Sequence, residues 1–568
     1  MTLETLIAVA RGEELADLLL KNSQLVNVLS GEIHRADIAI HAGQVVGFGD
    51  YQASEVVDLE GKFVSPGFMD AHVHLESAMV QPAEFARAVI PHGTTTVFCD
   101  PHEIANVSGL VGVRYILDAS DSLPLGVYVM APSCVPATHM ETAGAELGAS
   151  DIQELLAHER VIGLAEMMNF PGVLFRVPAV LDKIRIAGDR PVDGHAPGLT
   201  GLDLNAYVAA GVRSDHECTD LREAREKLRR GMHIMIREGT TARNLHSLLP
   251  LITPENSRLC HFCTDDRHPD TLLSEGSIDD LVRKAIAWGL RPMTALQMAT
   301  INTAEYFGLR NVGAVAPGYR ADLLVLDDIE TVQVNQVYAA GRLVAKEGTY
   351  LPTTDDRPHV PIQPTVHLAA APLDFSIPVG EGPARVIGAI PDQVVTEDLR
   401  LVPTTDNGHV VADPARDLLK VAVVERHHST GNVGLGLVKG VGLSQGAIAS
   451  SIAHDSHNIV VVGAEDDEMR TAVAAVADMG GGQVVVASGK VQAACPLPIA
   501  GLMSDRSLEE VRDQVEALTD AAHALGCTLP EPLMTMSFLA LPVIPSLKLT
   551  DKGLVDVGTF DFVPLFGG

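Results

Sequence analysis

The chain has 568 residues, enough at roughly 150 per domain for three or four domains, and its 46% hydrophobic and 20% charged residues describe a packed globular protein rather than a disordered one. Acidic residues outnumber basic ones, 41 − 73 = −32, so phosphate backbones and anionic lipid are repelled and neither nucleic acid nor a membrane is an expected partner. One Trp and eight Tyr leave little for base-stacking platforms, and no apolar run reaches the roughly 18 residues of a membrane helix. The start, MTLETLIAVARGEEL, lacks the basic and apolar regions of a signal peptide, and an odd count of seven cysteines predicts free thiols in a reducing cytoplasm.

Residues 1–66 read as short antiparallel strands broken by SG, AG and EGK, and the same texture returns over 312–362, so the two flanks are expected to build one composite β domain. Between them, 67–311 alternates apolar runs with helical stretches such as AEFARAVI, DLREAREKLRR and IDDLVRKAIAWG. Eight strands are predicted, near GFMDAHVHL, TTTVFCD, LGVYVMA, VIGLAEM, PVDGHA, VRSDHE, MHIMIRE and RLCHFCTDD. That rhythm predicts an α/β fold with a (β/α)8 barrel, an open doubly wound sheet being the alternative. A Pro- and Asp-rich connection, LPTTDDRPHVPIQPT, begins at 351, and a linker is expected over 363–377. A C-terminal α+β domain should then fill 378–568, with GAIASSIA looking helical and GLGLVKG forming a tight turn, since it lacks the ending of a phosphate loop.

The strongest chemical signal is Asp70-Ala-His72-Val-His74. On a strand, positions i and i+2 share a side, so His72 and His74 face together at the end of the first barrel strand and make half a metal site. Later strand ends add Glu166, His195, His216 and Asp265. In a barrel all of these open into one mouth, at the C-terminal face where active sites lie. Four histidines and two carboxylates suit two divalent ions sharing a bridging oxygen, with Glu166 reaching both and Asp265 accepting the proton of an activated water. Asp266 is an alternative to Asp265. Near them, Glu76 or His102 is placed to shuttle a proton, and His102-Glu103 either contacts substrate or hydrogen-bonds behind the ligands. Arg237-Glu238 closes strand seven as a substrate contact or as an ion pair fixing the loop. A polar cluster from His454 to Asn458, containing His457, either reaches over the site or forms a turn. Cys260 and Cys263 imitate a zinc signature, but positions i and i+3 of a strand face apart, so they are expected to pack rather than ligate.

SPGFMDAHVHLES, TVFCDPHEIANV, the Glu on strand four, CTDDRHPD, ATINTAEYFGL and GAVAPGYRADLLVLD resemble the amidohydrolase superfamily, and within it the adenine deaminase family. ERHHSTGNVGLGLVKG and SIAHDSHN extend the resemblance to the C-terminal segment. It implies a (β/α)8 barrel of the amidohydrolase type with a small composite β domain, hydrolysis of adenine to hypoxanthine and ammonia, and a role in purine salvage. It further implies two divalent metal ions per chain, manganese first, with iron or zinc compatible with the donors, and a homodimer. The alternatives are a relative acting on another cyclic amide or amidine and, more distantly, a barrel kept as a scaffold. Glu166 stands where many cyclic-amide hydrolases carry a carbamylated lysine.

Overall fold

The computed structural model describes residues 2–352, 360–391 and 393–567. Part of the Pro- and Asp-rich connection, 353–359, lies outside the described residues. A nine-stranded sheet draws strands from both flanks of the central region. Its join is Phe63–Pro66 against Leu323–Leu326, antiparallel with Ser65 opposite Leu324. Alternate residues fill one core, among them Leu18, Leu20, Ile38, Ile40, Val64, Leu323 and Val325, while the residues between them, such as Leu19, Ala39, Leu324 and Leu326, are buried on the other face, as a period of two places them.

Eight parallel strands follow in chain order. β1 (Phe68–Val73), β2 (Thr94–Cys99), β3 (Gly126–Ala131), β4 (Val161–Met167) and β5 (Val192–Gly194) form a five-stranded sheet. β6 (Ser214–Asp215), β7 (His233–Arg237) and β8 (Cys260–Cys263) form a three-stranded one. Backbone hydrogen bonds cross both seams: Arg213 N–H to Val192 O at 3.0 Å, and Asp265 N–H to His72 O at 2.9 Å with His74 N–H to Asp265 O at 3.0 Å. The curled sheet is TIM-barrel-like. β1 and β2 are buried at every position, the mark of parallel strands covered on both faces. β5 and β6 are shorter than the segments PVDGHA and VRSDHE predicted for them, and His195 and His216 follow directly after their last residues.

The C-terminal region is built on an eight-stranded, mostly antiparallel sheet. Helix Asp466–Asp478 packs on one face through Met469, Val473 and Val476 against Ala447, Ala449 and Val461. On the other face, Ile448, Val460 and Val462 join Leu508, Val511 and Leu518 of helix Leu508–Ala524 in the apolar core that continues into the barrel. GAIASSIA is therefore a strand, Ala447–Ser450, paired on both sides; neighbouring strands override a weak helical preference. GLGLVKG is also strand, within Val433–Lys439, rather than a turn. A Cβ at Gly434 would collide with the Thr550 carbonyl, so the glycine allows a close backbone approach. The stretch 363–377 is no free linker: it reaches strand Ile377–Pro378 with Val366, Leu368 and fully buried Phe375 packed on the sheet.

The C-terminal region sits on the barrel mouth. Arg87 pairs with Glu509, Ser504 N–H donates to Met79 O at 2.7 Å, and Thr550 Oγ1 donates to Met140 O at 2.6 Å.

Candidate active site

The predicted ligand residues converge. His72 Nε2 and His74 Nε2 lie 3.2 Å apart, and each approaches Asp265 Oδ1, at 3.1 and 3.0 Å. Glu166 separates two groups with its two oxygens. Oε1 lies 3.7 and 3.4 Å from His72 and His74, while Oε2 lies 2.6 Å from His195 Nδ1 and 3.3 Å from His216 Nε2. His74 Nδ1 meets the Asp100 carbonyl at 2.8 Å. A carbonyl only accepts, so Nδ1 carries the hydrogen and the Nε2 lone pair is available to the cluster. Asp265 follows β8 with φ of 58°, a left-handed conformation uncommon outside glycine, and its main-chain bonds to β1 hold it there.

These atoms face one another without satisfying one another. Glu166 Oε2, His195 Nδ1 and Asp265 Oδ1 are buried and within contact distance of one another's groups, yet none makes a well-aligned hydrogen bond among the described residues. Orphaned buried acceptors are costly unless another group meets them. Two sets of ligand-type atoms, His72 with His216 and Asp265, and Glu166 with His195 and His216, are each gathered closely enough to share an ion. The electrostatics agree. Burial pushes Glu166 up, but His195 and His216 outweigh it and hold the carboxyl well below its ordinary range. Burial likewise opposes ionisation of Asp265, and Arg237, His72 and His74 overcome it. His216 loses basicity to burial and gains more from Glu166, reaching about 9. The pocket holds ionised carboxylates and favours positive charge, which fits divalent cations on nitrogen and oxygen donors.

The other candidates separate into those in the cavity and those behind it. A cavity of about 70 Å³ is lined by His74, Glu166, His195, His216 and Asp265, and also by His102, Glu103, Arg237, Asp266 and His454. His102 Nδ1 lies 3.2 Å from Asp100 Oδ2 and 3.5 Å from Glu166 Oε1. Arg237 contacts Asp265 at 2.6 Å and Asp266 at 3.1 Å, and pairs with Glu217. It makes no ion pair with the adjacent Glu238, because neighbours on a strand point to opposite sides. Glu238 is set apart from the cavity: its carboxylate accepts from Leu245 N–H at 3.2 Å and faces Lys284 at 3.5 Å. Glu76 is also behind the wall, accepting from Ile104 N–H at 3.0 Å. His457 contacts one oxygen of Glu103 while His454 Nδ1 contacts the other at 2.6 Å, so His457 braces Glu103 from behind. Cys260 and Cys263 are buried free thiols.

Several lining residues were not singled out individually in the sequence. Glu217 and Asp455 enter beside His216 and His454, and Val394, Phe538, Leu541, Val543 and Ile544 form an apolar side contributed by the C-terminal region. Asp455 Oδ1 lies 3.9 Å from His102 Nε2. Its place beside two histidines was the available clue; the apolar residues read like any core segment.

Residues 63–344 match the amidohydrolase family, and residues 393–561 match the adenine deaminase C-terminal domain. The chain is similar along its whole length to proteins named adenine deaminase. That of Desulfatibacillum aliphaticivorans is 55% identical, covering 99% of each chain. That of Methanothrix thermoacetophila is 51% identical, covering 100% of each. That of Oleidesulfovibrio alaskensis is 51% identical, covering 100% of this chain and 99% of its own. Among solved structures, a β-aspartyl dipeptidase from Fervidobacterium islandicum AW-1 aligns over 60% of this chain and 100% of its own, at 17% identity and a TM-score of 0.47.

Proposed function

The chain belongs to the adenine deaminase family of amidohydrolases, enzymes that hydrolyse adenine to hypoxanthine and ammonia, and from that premise we propose how its residues divide the work. The observation that carries the assignment is Glu166, whose two oxygens each face a pair of histidines inside the closed mouth. We assign His72, His74, Glu166 and Asp265 to one divalent ion and Glu166, His195 and His216 to a second. Manganese is our first choice, and ferrous iron and zinc suit the same donors. When bound, the ions supply a hydrolytic water whose pKa is lowered toward neutrality.

The chain's own groups then manage geometry and protons. Asp265 accepts a proton from the attacking water, and Arg237 keeps that carboxylate ionised and aimed. The water oxygen bonds to C6 of adenine. One proton of the water ends on ring N1, the other joins the exocyclic amine, and the C6–N bond breaks to release ammonia. His102, in the cavity and within 3.5 Å of Glu166, is placed to carry the second proton; Glu76 lies behind the wall and is not. Glu103, Arg237 and His454 contact substrate, with His457 fixing Glu103. The seam hydrogen bonds support a closed (β/α)8 barrel over 67–311, a composite β domain from 1–66 and 312–362, and a C-terminal domain over 378–568 that closes the mouth. Seven buried free thiols support a reducing cytoplasm, and the family resemblance supports a homodimer.

Ammonia release from a panel of purines and pyrimidines tests the assignment. Adenine should be the preferred substrate. Preference for a cyclic amide such as dihydrouracil would contradict it.

A further inference from the structure

The apolar side of the active-site cavity is a unit of its own. Met534, Phe538 and Leu541, with half-buried Val394, Val543 and Ile544, form a hydrophobic cluster separate from the main core. Five of the six also line the cavity. Two chain segments meet there and are tied together. Thr396 N–H donates to Pro545 O at 2.9 Å and Ser546 N–H to Thr396 O at 3.1 Å. The buried Lys548 ammonium donates to Val394 O at 2.8 Å and to Phe538 O at 2.9 Å. Phe538 stacks on His454, with ring centroids 4.8 Å apart and planes at 10°, which fixes the aromatic side chain against the polar wall. Apart from Met168 and Ala242, the rest of the cavity lining is polar or charged.

We propose that this braced apolar wall, centred on Leu541 and Ile544, is the specificity element that admits adenine as the free base and rejects purines substituted at N9. This rests on the site assignment above. Deamination holds C6 against Glu166 and Asp265. C6 belongs to the six-membered ring and N9 to the five-membered ring on the far side of the fused system, so N9 points away from the carboxylates. The ligand-type side chains of the cavity come from the barrel strands, whereas this wall comes from the C-terminal region, so the ring end turned away from the carboxylates is taken to meet it. The wall is apolar, and its two segments are cross-tied rather than free to swing aside. A substituent on N9 would collide with it, and a ribosyl group would also bury hydroxyls among Leu, Ile and Val side chains that offer no hydrogen bond.

The test compares adenine with 9-methyladenine, which adds one methyl group at N9 and leaves C6 chemistry in place. kcat/KM for ammonia release is measured on both bases for the wild-type enzyme, Leu541→Ala and Ile544→Ala, loaded with manganese, alongside melting temperature. The wild-type enzyme should favour adenine at least a hundredfold. At least one truncation should raise the ratio of 9-methyladenine to adenine tenfold or more. Leu541→Val and Ile544→Val keep the test readable if alanine unfolds the segment. Wild-type turnover of 9-methyladenine equal to that of adenine would overturn the proposal, as would an unchanged ratio in every folded variant. Failure of the wild-type enzyme to deaminate adenine would instead overturn the site assignment beneath it, so the two failures are told apart by the adenine arm.

Discussion

At the scale of single residues, the proposed chemistry rests on Glu166 and Asp265. Glu166 places a negative charge between two histidine pairs, and with the proposed ion at each its loss would leave two cations repelling at short range. Glu166→Ala should therefore lose its second metal more readily than its first, read by elemental analysis after dialysis against a weak chelator; equal retention at both positions would remove the bridging role. Asp265→Asn keeps the shape and removes the proton acceptor. It should melt near the wild-type temperature and lose roughly 10²–10⁴ in kcat, the usual range for loss of a general base. Near-normal turnover would transfer the role to Asp266, 3.1 Å from the same Arg237. His72, His74, Glu166, His195, His216 and Asp265 were legible because strand periodicity and the barrel's geometry both send strand-end side chains to one mouth. Asp455 was legible only as a member of the His454–Asn458 cluster, since an Asp before a Ser reads equally as a turn-former.

At the scale of elements, two segments of the C-terminal sheet show what pattern alone misses. Ala447–Ser450 looks helical by composition and is held as a strand by partners on both sides. The 538–544 segment, FLALPVI, looks like ordinary core. Its place at the cavity follows from where the C-terminal region is docked, which no local pattern encodes. Lys548 underlies that segment, and burial pushes its pKa down to about 7. Its unfolded value is near 10.4, so between about pH 7 and pH 10.4 the unfolded chain binds the extra proton and folding becomes more favourable as pH rises. The stability difference between wild type and Lys548→Met, from denaturant unfolding, should shift in favour of wild type across that window. A pH-independent difference would show that Lys548 is not desolvated as the structure has it.

At the scale of the whole molecule, residues of the C-terminal region line the same cavity as the ligand-type residues of the barrel. Glu103 of the barrel is gripped by His454 and His457 of that domain. Burial works against its charge, yet the two histidines hold its carboxyl well below the ordinary range. Removing one partner from a buried charge cluster costs about 3–5 kcal/mol, so Glu103→Ala should destabilise the protein by that order and raise KM for adenine as the mouth loosens; a near-neutral change in both would separate the domain from catalysis. The composite β sheet and the barrel rhythm were readable from texture, whereas the docking was not, because its contacts join residues hundreds of positions apart. All of these scales meet in the claim that one carboxylate, Glu166, organises two metal positions for adenine hydrolysis. Titration of metal-free enzyme with Mn2+, followed by adenine deamination, tests it most directly. Activity should rise to a break at two equivalents per chain, and full activity at one equivalent would contradict the account.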